Sequence, residues 1–218
     1  MYKIMSGISI IVENSMVKKF SIIASLALAS LTSGCVQNPT ENQADQYVVS
    51  DETLAETHAV AMQLSTELGG RLKKELSENG PAIAVDVCHI VAPEIASSLS
   101  QKNNWQVGRV GTRVRNTLNL PNTWQQAALT TFAEKAAKGE KVEQLETHSV
   151  AMVDGKPMLR YAKAIVLQPM CVVCHGKAEQ IPVSVKARLQ EKYPNDRAVD
   201  YSPGELRGAI VILRPILN

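Results

Sequence analysis

Cys171-Val172-Val173-Cys174-His175 sets two thiols three positions apart, with an imidazole directly after the second. Such a pair can add across the two vinyl groups of one porphyrin, and the adjacent imidazole then falls under the iron. Covalent attachment and proximal ligation thus come from one short segment, and the fold around it has to enclose a flat macrocycle. A structural zinc site wants four ligands, and the sequence has no second Cys or His pair of comparable spacing. A thioredoxin-type dithiol opens a helix inside a βαβ unit, which these flanks do not suggest. One covalent haem c is therefore the expected cofactor, with Cys171 and Cys174 as attachment thiols and His175 as an axial iron ligand.

Haem attachment of this kind calls for export, and the N-terminus supplies an export signal. Counting from Met16, Lys18-Lys19 form a basic start, Phe20 to Leu31 an apolar run, and Thr32-Ser33-Gly34-Cys35 a small-residue ending. Residues 1–34 read as a signal peptide, too short for a membrane span. The ending resembles the lipobox of bacterial lipoproteins, with Thr32 where Leu is usual. Cys35 is then the lipidated first residue of the mature chain. Residues 35–46 form a polar, Pro-containing tether, and one domain is expected over 47–218.

Charge narrows the partners. Removing Lys3, Lys18, Lys19 and Glu13 with the export segment takes the 23 basic and 21 acidic residues to 20 of each. A balanced chain without a basic tract is not built for nucleic acid. After Cys35 no apolar stretch is expected to reach the ~20 residues of a span, so the membrane is reached through the lipid alone. The expected location is the periplasmic side of the cell envelope.

Periodicity gives an α+β order. A long helix is predicted over Ser50 to Asn79, weakened at Gly69-Gly70 and ended by Gly80-Pro81. A second runs from Pro81 to Leu99 with a kink at Pro93. Trp105 to Val114 reads as a strand, and Asn122-Thr123 opens a helix to Lys138. Glu146 to Leu167 reads as a hairpin turning at Asp154-Gly155. A short helix over Pro182 to Tyr193, a loop over Asn195 to Gly204 and a strand over Leu206 to Leu213 complete the chain.

Cys88 is the thiol left over. On the second helix it shares a face with Ala84, Val85, Val91 and Ile95, the stripe that would look at a buried macrocycle. His89 points about 100° away, toward Asp86 and Pro93. Cys88 is either a distal iron ligand or an ordinary buried small hydrophobe. Met152, Met158 and Met170 are further thioether candidates, though Met170 adjoins the attachment thiol and the other two flank the hairpin turn. His58 and His148 read as solvated or structural. Arg109, Arg113 and Arg115 alternate along the predicted strand, a row that could pair with haem propionates or an anionic ligand, with Arg113 and Arg115 as the candidate propionate contacts. A solvated strand face is the competing reading.

Four stretches together carry a family resemblance. They are Ala82-Ile83-Ala84-Val85-Asp86-Val87-Cys88 with Ala92-Pro93-Glu94-Ile95-Ala96, then Trp105 to Arg109 with Arg113-Val114-Arg115-Asn116, then Cys171 to Gly176, then Tyr193-Pro194-Asn195-Asp196 with Gly204 to Ile210. In this order, over Tyr47 to Pro215, the chain resembles the bacterial PAS-like c-type haem domain. That family includes small exported cyanobacterial proteins and extracytoplasmic sensor domains. The resemblance implies a PAS-like antiparallel sheet flanked by helices. It also implies iron ligation by the motif histidine and the cysteine of the alanine-rich helix, here His175 and Cys88. Two positions depart from the family pattern: Thr117, where Pro is common, and Asp200, where Gly is common.

Two functions follow from this reading. One is a redox or gas (CO, NO) sensor or regulatory module of the envelope; no output segment follows Asn218, so it would signal through a separate partner protein. The other is a periplasmic electron-transfer cytochrome. Two protein ligands leave no open position at iron, so an enzyme of the peroxidase type is not expected.

Overall fold

Ser50 starts the first helix, its hydroxyl accepting the Thr53 N–H at 3.1 Å, and Asp51 and Glu52 favour the positive end of the helix dipole. The computed structural model describes residues 47–216. The signal peptide, Cys35 and the tether lie outside the described residues. Helix α1 spans Asp51–Glu78 and buries Thr57, Val60, Ala61 and Leu64. Gly69, which lines the cavity described below, and Gly70 have open space around them and do not interrupt it.

The second predicted helix is three pieces: α2 (Gly80–Asp86), a π-helical turn (Val87–Val91) and α3 (Ala92–Asn103). The distortion precedes Pro93 rather than centring on it. Proline brings no N–H to the ladder and crowds the preceding turn, and a widened π turn relieves both. The segment Gly80–Asn103 is also long and apolar enough, by length and composition, to cross a bilayer. That corrects the expectation that no such stretch follows Cys35. Part of that apolar surface packs, Val85 in a cluster with Val185 and Leu189 and Leu99 in one with Val60 and Ile212, while Ile83 and Ile90 are exposed.

Strand β1 (Gln106–Gly111) ends earlier than predicted, leaving Arg113 and Arg115 beyond the sheet. Helix α4 (Thr123–Ala137) carries a capping box between Asn122 and Gln125. Strands β2 (Glu146–Val153) and β3 (Lys156–Val166) form the predicted hairpin, with Asp154 and Gly155 both at positive φ, 49° and 73°. That suits the twist-matched two-residue turn. A single helical turn, α5 (Val172–His175), helix α6 (Val183–Lys192) and strand β4 (Leu206–Pro215) follow.

The sheet has the order β1-β4-β3-β2, antiparallel throughout. One face packs on α4 through Val110, Ala162, Ala209 and Val211 against Leu129 and Phe132. The other face meets α1 and α3 through Val107, Tyr161, Ile210 and Ile212. Helices on both faces of an antiparallel sheet make this an α+β fold, as the element order predicts.

Candidate functional site

Between α1 and the end of the sheet lies a cavity of about 390 Å³. Leu68, Leu72 and Leu76 of α1 wall one side, and Ile165 and Ile210 of the sheet the other. Cys174 and His175 line it from α5, Cys171 from the turn just before α5, and Cys88 from the π turn. Residues from four separate parts of the sequence thus meet around one space, which periodicity alone could not establish.

Each member of the attachment segment is held by backbone. The His175 O accepts the Tyr201 N–H at 3.0 Å, and the Gly176 O accepts the Asp200 N–H at 2.8 Å. His175 Nδ1 lies 2.7 Å from the Ala198 carbonyl oxygen, so Nδ1 is the protonated nitrogen and Nε2 keeps its lone pair. Burial, with Arg115 and Arg207 nearby, holds the imidazole well below its ordinary pKa. It is a neutral, oriented donor. Gly176 permits the tight exit from α5, because a Cβ there would come within 2.6 Å of the Val172 oxygen.

The thiols are also kept neutral. Burial pushes Cys171 up, with Cys88 adding to the effect, and pushes Cys174 up to about 11 despite the neighbouring Arg115. Two half-buried thiols three positions apart, a lone-pair imidazole and a further soft sulfur donor on the same cavity fit a covalently attached porphyrin. His89 lies beside Cys88 in sequence but does not line the cavity; its ring meets Tyr193 edge-on at 5.2 Å between centroids. The side of the helix expected to be polar is covered by α6. The π turn accounts for the divergence: Val85 goes to α6, Ile95 to the sheet, and Cys88 between them to the cavity.

The arginines are arranged differently from the predicted row. Arg113 is off the cavity: its guanidinium stacks 3.6 Å from the Tyr201 ring centre and it pairs loosely with Glu205 at 3.7 Å. Arg115 lines the cavity and is buried, its Nε donating to Asp196 at 2.9 Å and its Nη2 to the Cys174 oxygen at 2.6 Å and the Ala198 oxygen at 3.2 Å. It braces the attachment segment. Both lie beyond the end of β1 at Gly111, so the predicted row on one strand face does not form. Arg109 also lines the cavity, joined by Arg207, which sequence reasoning did not single out. Of the candidate methionines, Met170 lines the cavity and Met152 and Met158 do not; Met62 of α1, which sequence reasoning did not single out, lines it too. His58 is structural, its Nδ1 2.8 Å from Glu146, which also accepts the Tyr161 hydroxyl at 2.7 Å. His148 is exposed on β2.

The profile of the Tll0287-like family matches residues 26–215. The chain belongs to this family. Among solved structures, the crystal structure of the cyanobacterial haem protein Tll0287 superposes with a TM-score of 0.60 at 25% identity. The alignment covers 78% of this chain and 99% of that one. No curated protein matches. The resemblance carried by the four stretches is thereby borne out at the level of the family.

Both departures from the family pattern have a local account. Asp200 adopts φ 63°, the left-handed conformation that glycine enters freely and aspartate tolerates. Its carboxylate also accepts the Ala178 N–H at 3.0 Å, which glycine could not do. Thr117 opens a 3-10 turn, Thr117–Asn119, at the position where proline is accepted in helices.

Proposed function

We propose that this Tll0287-like chain is an envelope-anchored c-type haem protein with a PAS-like domain, acting as a redox or gas sensor or regulatory module. The observation that carries it is the cavity into which Cys88, Cys171, Cys174 and His175 converge. Cys171 and Cys174 hold one haem covalently, and His175 Nε2 and Cys88 Sγ are its axial ligands. Bound haem supplies a one-electron iron centre whose potential and ligand access its axial donors set.

The protein's own residues do the rest. Ala198 fixes the imidazole, Arg115 ties the attachment turn to the loop before β4, and the leucines of α1 exclude water. Cys88 sits in a π turn flanked by two α-helices, and π turns concentrate at functional sites because they can exchange register. A bond at Cys88 is thereby tied to helix position, which suits a sensor. Cys35 anchors the chain through lipid, and a separate envelope protein receives the signal. Electron transfer is the second reading, favoured by the presence of donors for both axial positions. No catalysis is assigned.

Pyridine haemochrome analysis of the full chain, made with working haem maturation, is expected to give one haem per chain that survives acid–acetone extraction. Replacing both Cys171 and Cys174 by Ala is expected to abolish it. A colourless wild type, or stoichiometric zinc, sinks the reading. CO titration then separates the two functions: uptake by the reduced protein supports a sensor, and refusal in both redox states supports a carrier. Cys35→Ser is expected to release the haem-loaded protein from membranes.

A further inference from the structure

The pairing of β3 with β4 slips at one point: Ile165 pairs with Gly208 and Val166 with Leu206, so Arg207 is an extra residue with no partner across the ladder. A bulge of this kind re-aims a side chain, and such bulges gather beside functional sites. Here it brings Arg207 to the cavity wall. Its guanidinium lies over Gly111, where an added Cβ would come within 2.8 Å of Nη1. Glycine at 111 is what leaves room for it.

Arg109 reaches the same cavity from β1. Among the described residues no carboxylate pairs with either guanidinium, and the protein acceptor for Arg207 is the Arg113 oxygen at 3.1 Å. Burial weighs against the charge of both, yet neither has a counter-ion. The other cations at this cavity are already committed. Arg115 has Asp196 at 2.9 Å, and Lys163 has the Glu143 oxygen at 3.1 Å and Glu146 at 3.7 Å. Two uncompensated guanidinium groups in a largely apolar space call for two negative charges to enter with the ligand.

We propose that Arg109 and Arg207 form a two-guanidinium clamp that binds the paired propionate carboxylates of the haem. This rests on the haem reading above and adds to it: the strand arginine and the bulge arginine orient the macrocycle. Arg113 lies off the cavity, and Arg115 is tied to Asp196 and to the attachment turn. Guanidinium suits the task because its planar donors match a carboxylate two-pronged.

The test uses full-length protein carrying Arg109→Gln, Arg207→Gln, the two Lys variants, and Arg113→Gln as control. Haem per chain is measured first; a wild type without haem overturns the haem reading and is recognised at that step. With one haem per chain, each Gln variant is expected to shift the propionate bending bands in resonance Raman and to lower the reduction potential. Its potential should also gain a slope with pH near neutrality, as a carboxylate without its cation takes up a proton. The Lys variants keep the charge and lose the fork, so they should retain the potential while the bands shift. They carry the comparison if a Gln variant fails to mature, and Arg113→Gln should match wild type. Unchanged bands and potential in haem-loaded Arg109 and Arg207 variants would overturn the clamp. So would a response of wild-type potential to added formate that these variants lose while the propionate bands stay fixed, since the arginines would then serve a free anion.

Discussion

Asp200 shows how one side chain settles a backbone problem at this site. The loop that grips His175 and Gly176 needs a left-handed residue at 200, and aspartate fills it while capping Ala178. Asp200→Gly relieves the strain and loses the cap, so thermal unfolding is expected to stay within about 1 kcal/mol of wild type. Asp200→Val, β-branched at positive φ, should cost more than that and loosen the attachment segment. Arg115 is the costlier residue to remove. Arg115→Leu strands Asp196 and two carbonyls in a buried setting, and about 3–5 kcal/mol of stability should disappear in denaturant titration. A loss below 1 kcal/mol would mean that Arg115 is solvated. The attachment thiols and His175 were legible as residues because their chemistry is written in contiguous sequence. Arg207 was not, since a bulge is a property of two paired strands and leaves no local signal.

At the scale of elements, the π turn and the hairpin make separate predictions. Deleting the exposed Ile90 takes one residue out of Val87–Val91 and restores α-helical register. One residue is ~100° of rotation, so Cys88 and α3 can no longer both keep their places. The helical circular dichroism should persist while the Cys88-dependent ferric spectrum is lost; an unchanged spectrum would show that the turn plays no part. In the hairpin, Glu146 carries a pH dependence. Burial pushes its carboxyl up, but the Tyr161 and His58 hydrogen bonds outweigh this and hold it below its ordinary value. A depressed folded-state pKa gives stability that is present above the unfolded value and lost as pH falls through the folded one. The contact of β2 with α1 should therefore weaken only below about pH 4, and Glu146→Gln should flatten that acid limb of the unfolding profile. Element types were read well from capping and turn chemistry, as at Asn122 with Gln125 and at Asp154-Gly155. Their ends were not: β1 stops at Gly111 because the chain must turn to brace the attachment segment, a tertiary demand.

For the whole molecule, the order of layers decides what the cavity can do. Helix α4 packs on one face of the sheet, whereas on the other face α1 leaves a space that the attachment turn and the π turn also line. Leu68, Leu72 and Leu76 recur at helical spacing, but spacing alone does not show that they look into a cavity. That Cys88 lines the same cavity as the attachment turn is a long-range fact of this kind, and on it rests the proposed ligation of the haem iron by Cys88. That ligation is the central claim. Ferric EPR of the haem-loaded wild type and Cys88→Ala, matched for haem content, tests it most directly. The expected result is a low-spin thiolate-type signal in wild type and its loss in the variant, with the reduction potential rising as the negative ligand goes. Identical spectra and potentials in the two proteins would contradict the account.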